Sequence, residues 1–389
     1  VGIYGTVKSV LQNLGTIHLK NTANDSKSVG MLSDGKTITN DGTIKMSGGA
    51  SAGLLGKNEA TVTNNTSGTI TVEGQKSAAI YTENSTPINA GTINIEGEQS
   101  SGIFAKNTDN KDYTIENTGT INLKGTATPP GTQSAGIYAE IGPSAGKTTV
   151  YNKNQITVGQ ENSVGIYIKN DAAREKGEAI NTGTIDLNVE STVGIFVNKA
   201  IGENRNIINV KDKSSAGMYG SNDSVITNKN EINVSSEDSA GMYALDSNAT
   251  NTATGTITLT GSTGANSGSA GMYGKLTSNA TTADYTILNQ GKIQLTSVTK
   301  NVGIYGTTGA SVSKKLTLQN EKEINIAGGS AQSVGIYAKN DVSNNKDKLV
   351  AVNAANGTIV VDSNKSIGIS AEKSTVDNSG TITMKKAES

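Results

Sequence analysis

Apolar residues recur along the whole chain in two blocks that alternate. The first block reads S-x-G-I-Y-A, in which the glycine is followed by a large apolar residue and, in nine of fourteen copies, by tyrosine. The second block reads N-x-G-T-I-x-L, and its isoleucine is present in all fourteen copies. Apolar residues at positions i and i+2 with a polar residue between them are typical of a half-buried β-strand. Each block therefore predicts one short strand per repeat.

The two columns extend from the first residues to the last. The central position of the first block is Gly2, Gly30, Gly53, Ala79, Gly102, Gly136, Gly165, Gly194, Gly217, Gly241, Gly271, Gly303, Gly335 and Gly368. The invariant isoleucines are Ile17, Ile44, Ile70, Ile93, Ile121, Ile156, Ile185, Ile208, Ile232, Ile257, Ile293, Ile324, Ile359 and Ile382.

A third and weaker segment precedes the second block and ends in asparagine, as in residues 114–117 (TIEN) and 225–228 (VITN). Two residues before the invariant isoleucine the chain has glycine in ten copies and asparagine in three. Both residues tolerate positive φ, so we expect a left-handed bend at this position. Each repeat thus predicts three short strands and a recurrent asparagine corner.

Three short strands cannot bury their own apolar face, but stacked repeats bury a continuous column of isoleucine. Stacking also gives every backbone N–H and C=O a partner in the next coil. The predicted fold is therefore all-β, a right-handed parallel β-helix (solenoid) of about fourteen coils with variable loops at one corner. Neither a leucine-rich repeat nor a propeller blade matches the pattern.

We expect a single continuous segment over residues 1–389, an interior piece of a longer array, because both ends interrupt a repeat. The repeat length varies from 23 to 34 residues, and the extra residues gather in two loop-rich zones, 105–179 and 260–352.

The composition contains little of the chemistry that enzymes use. There is no cysteine, and the single histidine, His18, is predicted to be an exposed strand residue. The two arginines, Arg174 and Arg205, fall in different loops. With no cysteine and one histidine predicted to be exposed, the chain lacks the residues that zinc sites and Ser-His-Asp or Cys-His nucleophiles require. We therefore expect no catalytic residue, no metal and no cofactor. A formal net charge of −1 argues against a nucleic-acid partner.

The tyrosine column is the most suggestive feature of the first block. Strand alternation places the serine, glycine and tyrosine of the block on the outer face, where an aromatic column would attract sugars and proteins. Alternatively, the rings pack on one another only to stiffen the fold, and leucine or phenylalanine at four of these positions favours packing.

Loops on a rigid scaffold are the second candidate for binding. A charged loop ends the second zone. The candidate ligand-binding residues are Tyr273, Tyr305, Tyr337, Lys339, Asn340, Asp341, Lys346, Asp347 and Lys348.

The alternation of S-V-G-I-Y-A-K-N (residues 333–340) with N-T-G-T-I-D-L (residues 181–187) resembles the passenger regions of very large fusobacterial type V (type Va) autotransporter adhesins. The resemblance covers the whole chain. It implies display on the bacterial surface and attachment to a host-cell protein or glycan, or to other bacterial cells. It also implies an outer-membrane connection through a C-terminal barrel that is not part of this sequence. The alternatives are a carbohydrate-active β-helix enzyme, and a spacer stalk with the binding site elsewhere.

Overall fold

The structure is a computed structural model that describes residues 1–5, 9–20, 27–125, 133–260, 268–277, 283–296, 299–342 and 345–386. The chain forms two compact units, Val1–Phe196 and Val197–Ser389. Strands recur in threes in both units, and each strand pairs in parallel with the equivalent strand of the next coil. The predicted right-handed parallel β-helix of about fourteen coils is confirmed.

The three strands of a coil belong to three ladders. The first ladder contains β1 (Ile3–Gly5), β4 (Val29–Asp34), β7 (Ala52–Lys57), β10 (Ala78–Glu83), β13 (Ser101–Asn107), β16 (Ala135–Ile141), β19 (Val164–Asn170) and part of β22 (Val193–Asn198) in the first unit. In the second unit it contains the rest of β22, then β25 (Ala216–Ser221), β28 (Ala240–Leu245), β31 (Ala270–Leu276), β34 (Val302–Thr308), β37 (Val334–Asn340) and β40 (Ile367–Glu372).

The second ladder contains β2 (Leu11–Asn13), β5 (Ile38–Asn40), β8 (Thr61–Asn64), β11 (Thr86–Asn89), β14 (Tyr113–Asn117), β17 (Thr148–Asn152) and β20 (Gly177–Asn181) in the first unit. In the second unit it contains β23 (Ile201–Asn204), β26 (Val225–Asn228), β29 (Asn248–Asn251), β32 (Tyr285–Asn289), β35 (Leu316–Asn320), β38 (Leu349–Asn353) and β41 (Thr375–Asn378).

The third ladder contains β3 (Thr16–Leu19), β6 (Thr43–Met46), β9 (Thr69–Val72), β12 (Thr92–Ile95), β15 (Thr120–Lys124), β18 (Gln155–Gly159) and β21 (Thr184–Leu187) in the first unit. In the second unit it contains β24 (Ile207–Val210), β27 (Glu231–Val234), β30 (Thr256–Thr260), β33 (Lys292–Thr296), β36 (Glu323–Ile326), β39 (Thr358–Val361) and β42 (Thr381–Met384). Among the described residues, two short 3-10 helices, Arg174–Lys176 and Lys346–Lys348, lie in loops.

The invariant isoleucines form the core of the third ladder. Those from Ile44 to Ile185 in the first unit, and from Ile208 to Ile359 in the second, are completely buried. Within each unit, each lies in register with its equivalent in the next coil, as Ile121 does with Ile156. Because the side chains stack in register, a few apolar residues per strand are enough to fill the narrow interior.

Every strand of the second ladder ends in an asparagine, and these side chains form a hydrogen-bonded ladder within each unit. Each Nδ2 donates to the Oδ1 of the next asparagine, at 2.7–2.9 Å. The same Nδ2 atoms also reach backbone carbonyls, as Asn117 does at Gln155 in the next coil. The predicted asparagine corner is thus a continuous polar column that satisfies its own buried groups.

Serines before the first ladder form a similar column. The backbone N–H of Ser51 donates to Oγ of Ser77 at 3.0 Å, and Ser77 N–H donates to Oγ of Ser100 at 3.1 Å. In the second unit Asn301 occupies one of these positions and accepts from Ser269 N–H at 2.6 Å. These contacts hold the corner between the third and first strands of successive coils.

The predicted left-handed bend lies at a different position. Glycines such as Gly68 and Gly91 do not have positive φ; a Cβ on Gly68 would lie 2.3 Å from Oδ1 of Asn64 and 2.4 Å from the carbonyl of Asn40. Glycine is favoured there because the backbone approaches the asparagine ladder closely. The left-handed non-glycine residues lie instead at the other two corners: directly before the ladder serines, as Lys76 and Ser214 do, and between the first and second strands, as Asn84 and Asp246 do.

The serine of the first block, such as Ser134, is buried and does not lie on the outer face as predicted. The glycine of the first block is also placed differently from the prediction. It does not point outward with the tyrosine: a Cβ on Gly136 would lie 3.1 Å from Cγ2 of the core residue Ile156 and 2.6 Å from the carbonyl of Gly165. The strand alternation is interrupted here, because Ala135, Gly136 and Ile137 are all buried. The isoleucine that follows is buried, and the tyrosine after it faces outward as predicted.

Candidate ligand-binding surface

The second unit has five tyrosines in register on the outer face of its first ladder. Their ring centroids are 4.7–5.2 Å apart with interplanar angles of 5–14°. They are Tyr219, Tyr243, Tyr273, Tyr305 and Tyr337. The ring faces therefore cover one another, and each tyrosine side chain is half-exposed on the outer face.

The hydroxyls of the predicted tyrosines have defined surroundings. The hydroxyl of Tyr273 lies 3.2 Å from Oγ1 of Thr307. The hydroxyl of Tyr337 donates to Oε1 of Glu372, and this bond together with partial burial raises the pKa of Tyr337 to about 12. Burial also raises the pKa of Tyr305. These two phenols are therefore neutral near neutral pH, and each can act as a hydrogen-bond donor or acceptor.

Loops in three successive coils of the second unit leave the same corner, between the first and second strands. They lie between β31 and β32, β34 and β35, and β37 and β38. Their described ends are held together: Gly309 N–H donates to Leu276 O at 2.7 Å, and Lys315 N–H donates to Oδ1 of Asp284 at 2.8 Å. The ammonium of Lys348 donates to the carbonyl of Ser313 in the loop of the preceding coil.

We call these loops and the neighbouring tyrosines the loop face. It comprises Tyr273, Tyr305 and Tyr337 with residues 275–277, 283–284, 307–315, 339–342 and 345–348. The predicted loop residues 278–282 and 343–344 lie outside the described residues.

The residues predicted from the charged loop take different positions. Lys339 and Asp341 are exposed, and Lys339 lies two residues after Tyr337 on the same outer face. Asn340 is buried: its Oδ1 accepts from Oγ1 of Thr308 at 2.6 Å, and its Nδ2 donates to the carbonyls of Asn345 and Lys373. The Asn340 side chain therefore holds the loop in place through these hydrogen bonds.

The remaining predicted residues form the short helix Lys346–Lys348. Lys346 and Asp347 are exposed, with their charged groups 3.4 Å apart. The hydroxyl of Thr375 donates to Oδ1 of Asp347 at 2.8 Å, and this bond, followed by the effect of Lys346, lowers the pKa of Asp347. The helix is thereby tied to the compact corner of the next coil.

Positive charge is the feature of the loop face that sequence analysis did not identify. Its described residues contain six lysines and three aspartates, a surplus of three positive charges. They are Lys275, Lys314, Lys315, Lys339, Lys346 and Lys348, and Asp284, Asp341 and Asp347. The balanced charge of the whole chain hides this local surplus, which becomes visible only when the three loops are known to share a corner.

The first unit provides a contrast within the same chain. Three of its successive coils also carry loops at this corner, residues 108–112, 142–147 and 171–176. There, lysines pair with glutamates: Lys111 with Glu59, and Lys147 with Glu178 at 2.6 Å. Its aromatic column runs from Tyr81 to Phe196.

The other sequence-predicted positions are placed as follows. His18 is exposed in β3, opposite Lys45 of the next strand, as predicted. Arg174 lies in a loop of the first unit, and Arg205 contacts Glu203 in the second. The described residues contain no group of three or more His, Cys, Asp or Glu side chains that could hold a metal ion. Within the same residues, no helix is long and apolar enough to cross a membrane.

Comparison with known proteins gives one family. The family model of the BigA third pectate lyase-like domain matches residues 1–68, 67–202 and 108–285. Together these matches cover residues 1–285 of the 389, well over half of the chain. Neither the curated proteins nor the solved structures contain a match. The chain belongs to the family of the BigA third pectate lyase-like domain.

Proposed function

We propose that this chain is a passenger segment of a fusobacterial type Va autotransporter adhesin, displayed on the bacterial cell surface. In this proposal it attaches to a host-cell protein or glycan, or to other bacteria, and has no enzymatic activity. The observation that carries the proposal is the loop face, where three successive coils present loops beside a tyrosine column.

The fold supports a binding role because the residues that stack the coils are separate from the residues that form the loops. The isoleucine core and the asparagine and serine columns use side chains for stacking coil on coil. Loops at one corner can therefore vary in length and sequence without disturbing this core. Binding residues are commonly found in such loops, held by a rigid scaffold.

The charge and hydrogen-bonding groups of the loop face suggest the kind of ligand. A surplus of lysines attracts an anionic surface and increases the rate of encounter. Tyrosine hydroxyls and ring edges offer polar contacts with little loss of conformational freedom. An anionic receptor protein or glycan on the opposing cell fits this combination best.

The family name makes a carbohydrate-cleaving enzyme the alternative to test. Incubation of the purified segment with polygalacturonate, with and without calcium, should release no unsaturated uronide. Release of such products above the background of a heat-denatured sample would contradict the non-enzymatic proposal.

The binding proposal can be tested by removing the loops along the register of the sheet. In the compact coil before them, only Asp246 and Ser247 separate β28 from β29. The paired residues show that 276–285, 308–316 and 340–349 can each be replaced by Asp-Ser. Compact coils lie on both sides of these three, so the shortened corners continue an existing arrangement.

The matched control shortens the first-unit loops in the same way. Residues 107–113, 141–148 and 170–177 are each replaced by Asn-Ser, which is the sequence of residues 84–85 in the compact corner after β10. We expect cell binding to be lost in the second-unit variant and retained in the control, with both variants folded by circular dichroism. Equal binding by the two variants would contradict the assignment to the loop face.

A further inference from the structure

The aromatic column of the first unit is interrupted near its beginning. Tyr81 stacks on Phe104 with centroids 5.1 Å apart and an interplanar angle of 4°. On its other side, Tyr81 lies in register with Leu55, and Leu55 with Leu32. A leucine fills less space than a ring, so the column offers room next to Tyr81.

A cavity of about 380 Å³ lies at this interruption. Its walls include Leu55, Tyr81 and Phe104, and its floor includes the small residues Ala52 and Ala78. This volume is in the range of sites that take small molecules or single side chains. The cavity is lined by residues of four successive coils, about 14 Å along the stacking direction at the usual strand spacing.

The rim of the cavity is basic. Lys27 and Lys76 line it from the left-handed corner that precedes the ladder serines, with Gln99 at the same corner. All three side chains are exposed. The described residues that line the cavity include these two lysines and no carboxylate. An apolar floor with a basic rim is complementary to an apolar group flanked by negative charges.

We propose that this cavity binds an aromatic side chain from an acidic, extended peptide segment of a partner protein. The column itself shows which group fits, since most neighbouring positions of the first ladder hold a ring stacked at about 5 Å. A ring from the partner would continue this stack beyond Tyr81. Four coils match about four residues of extended chain, at roughly 3.3 Å per residue, and acidic residues on either side of the ring would face the lysines.

The site is independent of the loop face, which belongs to the other unit, so it can be tested separately. The probe is the N-acetylated, C-amidated tetrapeptide EFDS, labelled and titrated with the intact segment by fluorescence anisotropy. The peptide EADS lacks the ring, and KFKS reverses the charges. We expect saturable binding of EFDS. Each of the other two peptides should bind with an affinity at least about tenfold lower.

Two pairs of variants test whether the peptide binds in the cavity. Leu55→Tyr replaces the leucine by a ring that fills the cavity, at a position where tyrosine is the usual residue of the column, and should abolish binding without unfolding the protein. Leu32→Tyr makes the same change outside the cavity and should have no effect. Lys76→Ala should weaken binding about tenfold, whereas Lys365→Ala, at an equivalent left-handed corner of the second unit, should not.

The loop-shortened second-unit variant should bind EFDS as well as the parent does, which separates this proposal from the adhesin proposal. Absence of saturable EFDS binding, or binding unchanged by Leu55→Tyr, would overturn it. Tighter binding of an acidic sugar such as 3′-sialyllactose, lost in Leu55→Tyr, would assign the cavity to a glycan and also overturn the peptide proposal.

Discussion

Replacing Asn117 by alanine breaks the asparagine ladder of the first unit near its middle. The side chain of Asn117 is completely buried. Its Oδ1 accepts from Nδ2 of Asn89 at 2.8 Å, and its Nδ2 donates to Oδ1 of Asn152 at 2.8 Å. The substitution therefore removes these two buried hydrogen bonds and the partly buried contact of Nδ2 with the carbonyl of Gln155, and it leaves Oδ1 of Asn152 without the donor that Asn117 provides.

The size of the effect follows from these contacts. Each lost hydrogen bond contributes about 0.5–1.5 kcal/mol, and a buried acceptor left unsatisfied costs about 1–3 kcal/mol. Asn89 Nδ2 keeps contacts with the carbonyls of Gly91 and Thr120, so the loss of its bond to Asn117 leaves no unsatisfied donor. The expected loss in the free energy of unfolding is about 2–6 kcal/mol.

Asn122→Ala is the matched control because it removes a similar bond in a half-exposed position. Asn122 Nδ2 donates to Oδ1 of Asn94 at 3.1 Å on the outer face of the third ladder. Its loss should change stability by about 0.5 kcal/mol or less. Urea unfolding followed by circular dichroism compares both variants with the parent. If Asn117→Ala destabilised no more than Asn122→Ala, the ladder would not stabilise the fold as argued.

Three further predictions concern other parts of the repeat. Ile185→Asp places a charge in the completely buried isoleucine column and should reduce the free energy of unfolding by at least about 3 kcal/mol; a melting curve like the parent's would contradict the inward assignment. Ser214 has φ of 56°, so Ser214→Gly should stabilise by about 0.5–1 kcal/mol in urea unfolding, and destabilisation would show that its left-handed corner is unstrained. Burial raises the pKa of Tyr138 to about 12, and the bond to Glu372 followed by burial does the same for Tyr337. The folded pKa of each tyrosine exceeds the unfolded value of about 10. The stability that the two protonated tyrosines contribute is therefore complete below pH 10 and is lost as the pH rises towards 12. Tyrosinate absorbance should show both groups ionising near pH 12 in the folded protein, and midpoints near 10 would contradict the assigned surroundings.

The ladders were predictable from the sequence because each depends on a residue type that recurs at a fixed place. Ile121 and Ile156 must stack if the coils are in register, and their i, i+2 pattern indicates strands directly. The asparagine corner was also visible as a column. Its side-chain ladder became clear only from the structure, since the direction of Asn117 depends on the turn that follows it.

The corners were predicted less well. Glycine suggested positive φ at Gly68, whereas the structure uses glycine there to let the backbone approach the asparagine ladder. Residues such as Lys76 and Ser214 have positive φ instead, and lysine and serine do not indicate a left-handed conformation in a sequence. Their conformation is imposed by the serine column and the strand stacking, which are tertiary effects.

The candidate site was predicted in part. The tyrosines face outward in a column as expected, but their ring faces stack on one another and are therefore covered. Asn340 was selected for its charged surroundings, yet it is buried and holds the loop through Thr308. The lysine surplus was missed because residues from three loops had to be brought to one corner before it could be counted.

The central claim is that this segment itself binds, and saturation binding to cells tests it most directly. The fluorescently labelled, folded segment would be titrated onto epithelial cells, lymphoid cells and partner bacteria, with excess unlabelled segment as competitor. We predict saturable binding to at least one of these surfaces that the unlabelled segment displaces. No displaceable binding to any of them would contradict the claim and identify these coils as a spacer.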